Sequence, residues 1–117
     1  MQTWQEKFQQ EIGRANDSRA RGNEGQARVC ARRAAGIVVR EYFTQRGIHA
    51  LSPSAYDLLN TLLGMDDLPA QVRQSAGYLT LRVDEAFKLP PGIDLVQEAH
   101  TIYERLLPRE GRLAETE

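Results

Sequence analysis

The sequence predicts an all-α protein, an antiparallel up-and-down helical bundle of about five helices, four of them core helices and one shorter. Apolar residues recur at helical spacing almost from end to end, whereas no stretch of four or more residues alternates apolar and polar side chains as a strand does. Glycine and proline interrupt this pattern and leave short connections. We therefore expect successive helices to lie side by side in opposite directions.

The first two helices have clear start and stop signals. Residues 3–21 carry apolar side chains at intervals of three and four residues, and Gly22 then stops the helix. We expect a second helix with Asn23 as its N-cap, Gln26 as the other half of a capping box, and an end at Arg46. Its second half is apolar around most of its circumference, which predicts that this helix is the most enclosed of the bundle.

Three further helices complete the pattern. Ser52, followed by a proline at the first helical position, predicts the start of a short helix that ends at Gly64. A fourth helix is expected to begin near Pro69 and to carry a regular apolar seam as far as Ala86. After a break of two prolines and a glycine, Asp94 is expected to cap a fifth amphipathic helix.

Length and composition are those of one globular domain. A chain of 117 residues, 41% of them hydrophobic, can form one core without disulfides, and its single cysteine, Cys30, has no partner for a bridge. We expect one domain at 1–107 and a flexible tail at 108–117. Neither a leader segment nor a membrane-length apolar run is found, which predicts a soluble, cytoplasmic protein.

The two halves of the chain differ in charge. Residues 1–50 carry nine Lys/Arg and five Asp/Glu, whereas residues 51–117 carry six and eleven, and the formal net charge is −1. The total argues against nucleic acid as a partner without excluding it, while the separation favours head-to-tail packing or the docking of a partner. Thirteen of the fifteen basic residues are arginine, and an arginine preference set by genome composition is the alternative explanation.

Three segments follow one another in an order that is typical of a known family of helical bundles. Residues 22–35 read as an acidic-capped, alanine-rich second helix, residues 72–79 as a core helix, and residues 89–99 as a proline-containing turn that leads into the last helix. In this order they resemble the HEPN family of helical bundles, over roughly residues 22–107. The resemblance implies an up-and-down bundle that commonly pairs into a homodimer and that often partners a small nucleotidyltransferase in toxin–antitoxin pairs.

The resemblance also implies a test for catalysis, because some family members are metal-independent ribonucleases with an arginine four to six residues before a histidine. Neither His49 nor His100 has an arginine at that distance. Arg73 and Tyr78 have the spacing with tyrosine in place of histidine, and an ordinary tyrosine, with a pKa of about 10, is a poor general base. The sequence therefore favours a non-catalytic HEPN-like module that acts by homodimerisation and by binding a partner protein.

Two alternatives stay open: a divergent HEPN ribonuclease, toxin or nucleotide-binding domain, and a scaffold bundle outside the family. Arg73, Tyr78 and Arg82 lie on the polar side of the fourth helix, where they could line a groove for a nucleotide or be ordinary surface residues. No cofactor and no metal are expected, because two isolated histidines and one cysteine do not supply a metal site without several carboxylates.

Two pairs on the second helix are candidate partner surfaces. Arg28 and Arg32 lie one turn apart and could meet a carboxylate or phosphate together, with a solvated basic stripe as the alternative. Val39 and Phe43 lie near this stripe by helical angle and predict a dimer surface, with burial against the first helix as the alternative.

Overall fold

The computed structural model describes residues 2–50, 52–81 and 92–107. Within these ranges it has no strand, and the predicted all-α helical bundle is confirmed. None of the described helices is both long and apolar enough to cross a membrane. The fourth helix ends at Leu79 with Thr80 as its C-cap, so the prediction that it continues to Ala86 is wrong. Residues 82–86 and the predicted tail at 108–117 lie outside the described residues. The helices are α1 (Trp4–Ala20), α2 (Glu24–Gln45), α3 (Ala55–Leu63), α4 (Ala70–Leu79) and α5 (Leu95–Leu106).

The centre of the bundle is α2. Its most extensive contact is with α1, and α5 and α3 also pack on it, whereas α4 packs mainly on α5 and α3. Ten residues of α2 are buried, more than in any other described helix. The expectation that the second helix is the most enclosed is confirmed for the described residues.

Contacts at both ends of α1 give the directions of its neighbours. The Trp4 ring lies 5.3 Å from the Tyr103 ring, between centroids, so the start of α1 meets the end of α5. At the opposite end, an Arg19 Nη2 atom lies 3.1 Å from Asp94 Oδ1 at the start of α5 and 2.9 Å from Glu24 Oε2 at the start of α2. Both α2 and α5 therefore run antiparallel to α1.

The start of α2 agrees with the sequence in part. Asn23 Oδ1 accepts a hydrogen bond from the Gln26 backbone N–H at 3.1 Å, as expected of an N-cap. The Gln26 side chain does not return to the cap, because its Nε2 donates to Cys30 Sγ at 3.7 Å. A complete capping box is instead formed at the start of α1, between Thr3 and Glu6, which the sequence prediction missed.

The predicted start of α3 at Ser52 is wrong by two residues. Ser54 is the N-cap, and its Oγ accepts a hydrogen bond from the Asp57 N–H at 3.4 Å. Ser52 Oγ accepts instead from the Ser54 N–H at 3.2 Å, a local turn that competes with helix formation. Pro53 consequently lies before the cap rather than at the first helical position.

The close approach of α2 and α3 depends on Gly36. A Cβ atom on this residue would lie 2.6 Å from the Ala55 Cβ and 2.9 Å from the Ala55 Cα, so a larger side chain would collide with the first turn of α3. The chain leaves α2 after Gln45 and returns at Ala55, the first residue of α3, to this point near the middle of α2. The crossing of the two helices forms the floor of a surface groove.

Candidate functional site

The guanidinium of Arg73 is occupied by the neighbouring helix. It donates hydrogen bonds to the Leu63 carbonyl oxygen, at 2.9 Å, and to the Met65 carbonyl oxygen, at the end of α3. Leu63 is the last residue of α3 and Met65 follows its C-cap, so both carbonyls lie at the negative end of the helix, where an arginine is stabilising. Tyr78 lies about 140° around α4 from Arg73 and packs half-buried against the core. Arg82, the third residue of the predicted nucleotide groove, lies outside the described residues.

Arg32 has an equivalent role at the end of α4. Its Nε donates to the Leu79 carbonyl oxygen at 2.7 Å, and its Nη2 donates to the Leu81 carbonyl oxygen at 3.4 Å. Arg28, one turn earlier, has a buried Nε atom without a hydrogen-bond partner among the described residues. The two arginines therefore do not offer a matched pair of guanidinium groups to an external carboxylate or phosphate.

Val39 and Phe43 lie in the core of the single chain, with exposures of 0% and 1%. The prediction that they form a dimer surface is therefore wrong, and the alternative of core burial holds. The physical reason is that α1, α3 and α5 all pack on α2, so its wide apolar surface is covered within one chain. Phe43 is additionally enclosed by the turn after α2, where the Ile48 N–H donates to the Phe43 carbonyl at 2.9 Å.

An open groove lies along α2, beside the start of α3. Its volume is about 500 Å³, and Glu11 of α1 lies on its other side. A second depression of about 350 Å³ shares Arg40 and Pro53 with it and continues toward the exposed His49. We call the first depression the α2–α3 groove, and the residues that matter for its chemistry are Val29, Arg33, Ile37, Arg40, Pro53 and Ser54.

Positive charge dominates the α2–α3 groove. Arg33 and Arg40 are exposed, and neither guanidinium has a hydrogen-bond or ion-pair partner among the described residues. The carboxylate that lines the groove, Glu11, is already bound through its Oε2 by Arg14 Nη1 at 3.1 Å. The start of α3 adds the partial positive charge of a helix N-terminus. A negatively charged group would consequently be favoured here.

The spacing of the groove residues on α2 is regular. Arg33, Ile37 and Arg40 are separated by four and three residues, which places them on one face of the helix. Ile37 is half-buried between the two arginines. The sequence interpretation chose the Arg28 and Arg32 pair and missed this set, although an arginine, an apolar residue and an arginine at this spacing were the signal for it.

A separate cluster of charges joins the ends of three helices. Hydrogen bonds from Arg19 lower the pKa of Glu24 below its usual value, and the two carboxylates raise the pKa of Arg19. For Asp94, burial alone would raise the pKa, but the hydrogen bonds from Arg19 and from the Val96 N–H outweigh it and lower the pKa. The cluster ties the end of α1 to the starts of α2 and α5, which is a structural role.

Comparison with family models, curated proteins and solved structures found no match to this chain. Over the ranges that the structure describes, no group of three or more histidine, cysteine, aspartate and glutamate residues is placed to hold a metal ion. The chemistry of the α2–α3 groove is thus the structural observation from which a function can be argued.

Proposed function

We propose that this chain is a non-catalytic, HEPN-like helical module that acts by forming a homodimer and by binding a partner protein. A small nucleotidyltransferase of a toxin–antitoxin type system is the partner implied by the resemblance. The observation that supports binding is the α2–α3 groove, where Arg33 and Arg40 flank the half-buried Ile37. Neither arginine has a partner in the described part of the chain.

The state of Arg73 argues against the ribonuclease alternative. Its guanidinium is bonded to two carbonyl oxygens at the end of α3, so contact with a phosphate would require these bonds to break. We expect purified protein to leave RNA intact. A ribonuclease activity that copurifies with the chain and is lost in the Tyr78→Phe variant would favour the ribonuclease over the binding module.

The homodimer rests on the resemblance, because Val39 and Phe43 are buried and cannot supply its surface. Sedimentation velocity at micromolar concentration tests it directly, and we expect a species of twice the chain mass. A single species of the chain mass would remove the homodimer from the proposal and would leave the binding of a partner protein to be tested on its own.

Partner binding is tested by coexpression with a nucleotidyltransferase encoded beside this chain. We expect the two proteins to elute together from a size-exclusion column, with a fixed ratio of the two masses. An unrelated nucleotidyltransferase of similar size is the control and should elute alone. Separate elution of the neighbouring nucleotidyltransferase would contradict the proposed partner.

A further inference from the structure

The face formed by Arg33, Ile37 and Arg40 sets the spacing that a bound segment must match. Seven residues of an α-helix span about 10.5 Å, which is the separation of the two arginines along the axis of α2. Side chains on a partner reach the same separation when they lie about seven residues apart in a helix or about three residues apart in an extended segment. An apolar partner residue between them would lie over Ile37.

The groove combines charge with apolar surface. Val29 and Ile37 are half-buried, and Pro53 is exposed at the opposite wall, so aliphatic surface lies between and beside the two arginines. A carboxylate suits the planar guanidinium, which can donate two parallel hydrogen bonds to it. An apolar side chain gains by covering Ile37. Acidic residues that flank an apolar residue satisfy both requirements.

The shape of the groove favours a peptide over a nucleic acid. It is open, and beyond Arg40 it continues into the second depression near His49, which suits a chain segment several residues long. A nucleic acid would gain its affinity from many phosphate contacts, whereas this face offers two arginines, unpaired among the described residues, with an aliphatic side chain between them. Covering Ile37 would contribute nothing to phosphate binding.

We propose that the α2–α3 groove binds an acidic segment of the partner protein, with one carboxylate on Arg33, one on Arg40 and an apolar side chain over Ile37. This inference rests on the proposed function and adds the chemistry of the segment that is recognised. Arg14 binds Oε2 of the Glu11 carboxylate and so reduces its repulsion of an acidic segment, whereas Oε1 of Glu11 is buried without a hydrogen-bond partner among the described residues.

The test is an NMR titration of the full ¹⁵N-labelled chain with two synthetic probes. The acidic probe is an alanine-rich helical peptide with two glutamates about seven residues apart and leucines between them. The control probe has glutamine in place of both glutamates. We expect the acidic probe to shift the amide signals of residues 29–40 and 54–56, and the control probe to bind about two- to thirtyfold more weakly.

Charge-reversed variants show whether the two arginines carry the binding. The double variant Arg33→Glu/Arg40→Glu changes two exposed side chains and should bind the acidic probe at least about tenfold more weakly. Arg105→Glu is the control, since Arg105 is an exposed arginine on α5 that does not line the groove, and this variant should bind the acidic probe with unchanged affinity. The remaining amide signals report whether each variant is folded.

Three results would overturn the groove assignment. The first is a set of shifts spread evenly over the basic surface, including the neighbourhood of Arg105, and the second is a shift of the groove amides by an RNA oligonucleotide but not by the acidic probe. The third is a homodimer that forms in the wild type and dissociates in the Arg33→Glu/Arg40→Glu variant. This result would mean that a second copy of the chain, and not a partner protein, occupies the groove.

Binding experiments with the nucleotidyltransferase and with the acidic probe distinguish an error in the groove assignment from an error in the proposed function. If the nucleotidyltransferase binds wild type and the Arg33→Glu/Arg40→Glu variant equally, the proposed function stands and the groove assignment fails. If the acidic probe binds the groove but the nucleotidyltransferase does not bind the chain, the groove assignment stands and the proposed partner fails.

Discussion

Substitution of Gly36 by alanine tests how closely α3 approaches α2. The added Cβ would lie 2.6 Å from the Ala55 Cβ and 2.9 Å from the Ala55 Cα. Two carbon atoms are most favourable at about 3.5–4.0 Å, so the start of α3 would have to move by about 1 Å. Neither atom of Ala55 can rotate away, because both are fixed by the backbone of the first turn of α3.

Two opposing terms set the magnitude for Gly36→Ala. Alanine is favoured over glycine inside a helix by about 1 kcal/mol, whereas overpacking of a core costs about 1–3 kcal/mol. The upper end of the overpacking range applies, because the Cβ and Cα atoms of Ala55 cannot move independently of the α3 backbone. We therefore expect the free energy of unfolding to fall by about 1–2 kcal/mol.

Gly13→Ala is the matched control for this change. Gly13 lies inside α1 and is exposed, and a Cβ there would meet no atom within 4 Å. The same substitution should raise the free energy of unfolding by up to about 1 kcal/mol, because only the helix preference acts. The two variants are thus expected to change stability in opposite directions.

Urea unfolding followed by circular dichroism measures both effects. In an Ala55→Gly background the loss caused by Gly36→Ala should be smaller, since the shorter of the two contacts is then absent. Equal stabilisation by Gly36→Ala and by Gly13→Ala would refute the close crossing of α2 and α3, and with it the floor assigned to the groove.

Three further predictions concern side chains that join helices. Arg32→Met should lower the free energy of unfolding, measured in urea, by about 1–2 kcal/mol, because the bond to the Leu79 carbonyl is lost. Arg33→Met is the same change at a neighbour with no partner in the described ranges and should leave the free energy of unfolding nearly unchanged, so equal effects would contradict the role of Arg32. Arg73→Met should also destabilise, through loss of its bonds to the end of α3, and an unaltered urea midpoint would refute this. The pKa of Asp94 is lower in the folded chain than in the unfolded chain, where it is about 4. The ion pair of Asp94 therefore stabilises the fold fully at a pH above the unfolded pKa, and this stabilisation is lost as the pH falls through the folded pKa. Asp94→Asn keeps an N-cap residue, so below about pH 4 its urea midpoint should fall less steeply than that of wild type, and equal slopes would exclude the linkage.

Local patterns were sufficient to predict most of the fold. Asn23 and Gly22 gave the boundary between α1 and α2, because capping and chain reversal depend on neighbouring residues. The wide apolar surface of α2 correctly indicated its central place. The start of α3 was predicted two residues early, since Ser52 and Ser54 both precede plausible first turns and only the structure shows which of them caps the helix.

The candidate site was harder to predict, because the roles of arginines depend on distant partners. Arg32 bonds to the end of α4, 47 residues further along the chain, and no local pattern indicates this. Gly36 gave a usable signal, as a glycine within α2 that no helix end explains. Arg33 and Arg40, which have no partner in the part of the chain that the structure describes, become recognisable only after the paired arginines have been assigned.

The proposal that this chain acts by association through the α2–α3 groove is tested most directly by calorimetric titration with the acidic probe peptide. We predict saturable binding by wild type and by Arg105→Glu, and at least about tenfold weaker binding by Arg33→Glu/Arg40→Glu. No heat of binding with wild type, or equal affinities for all three proteins, would contradict the proposal.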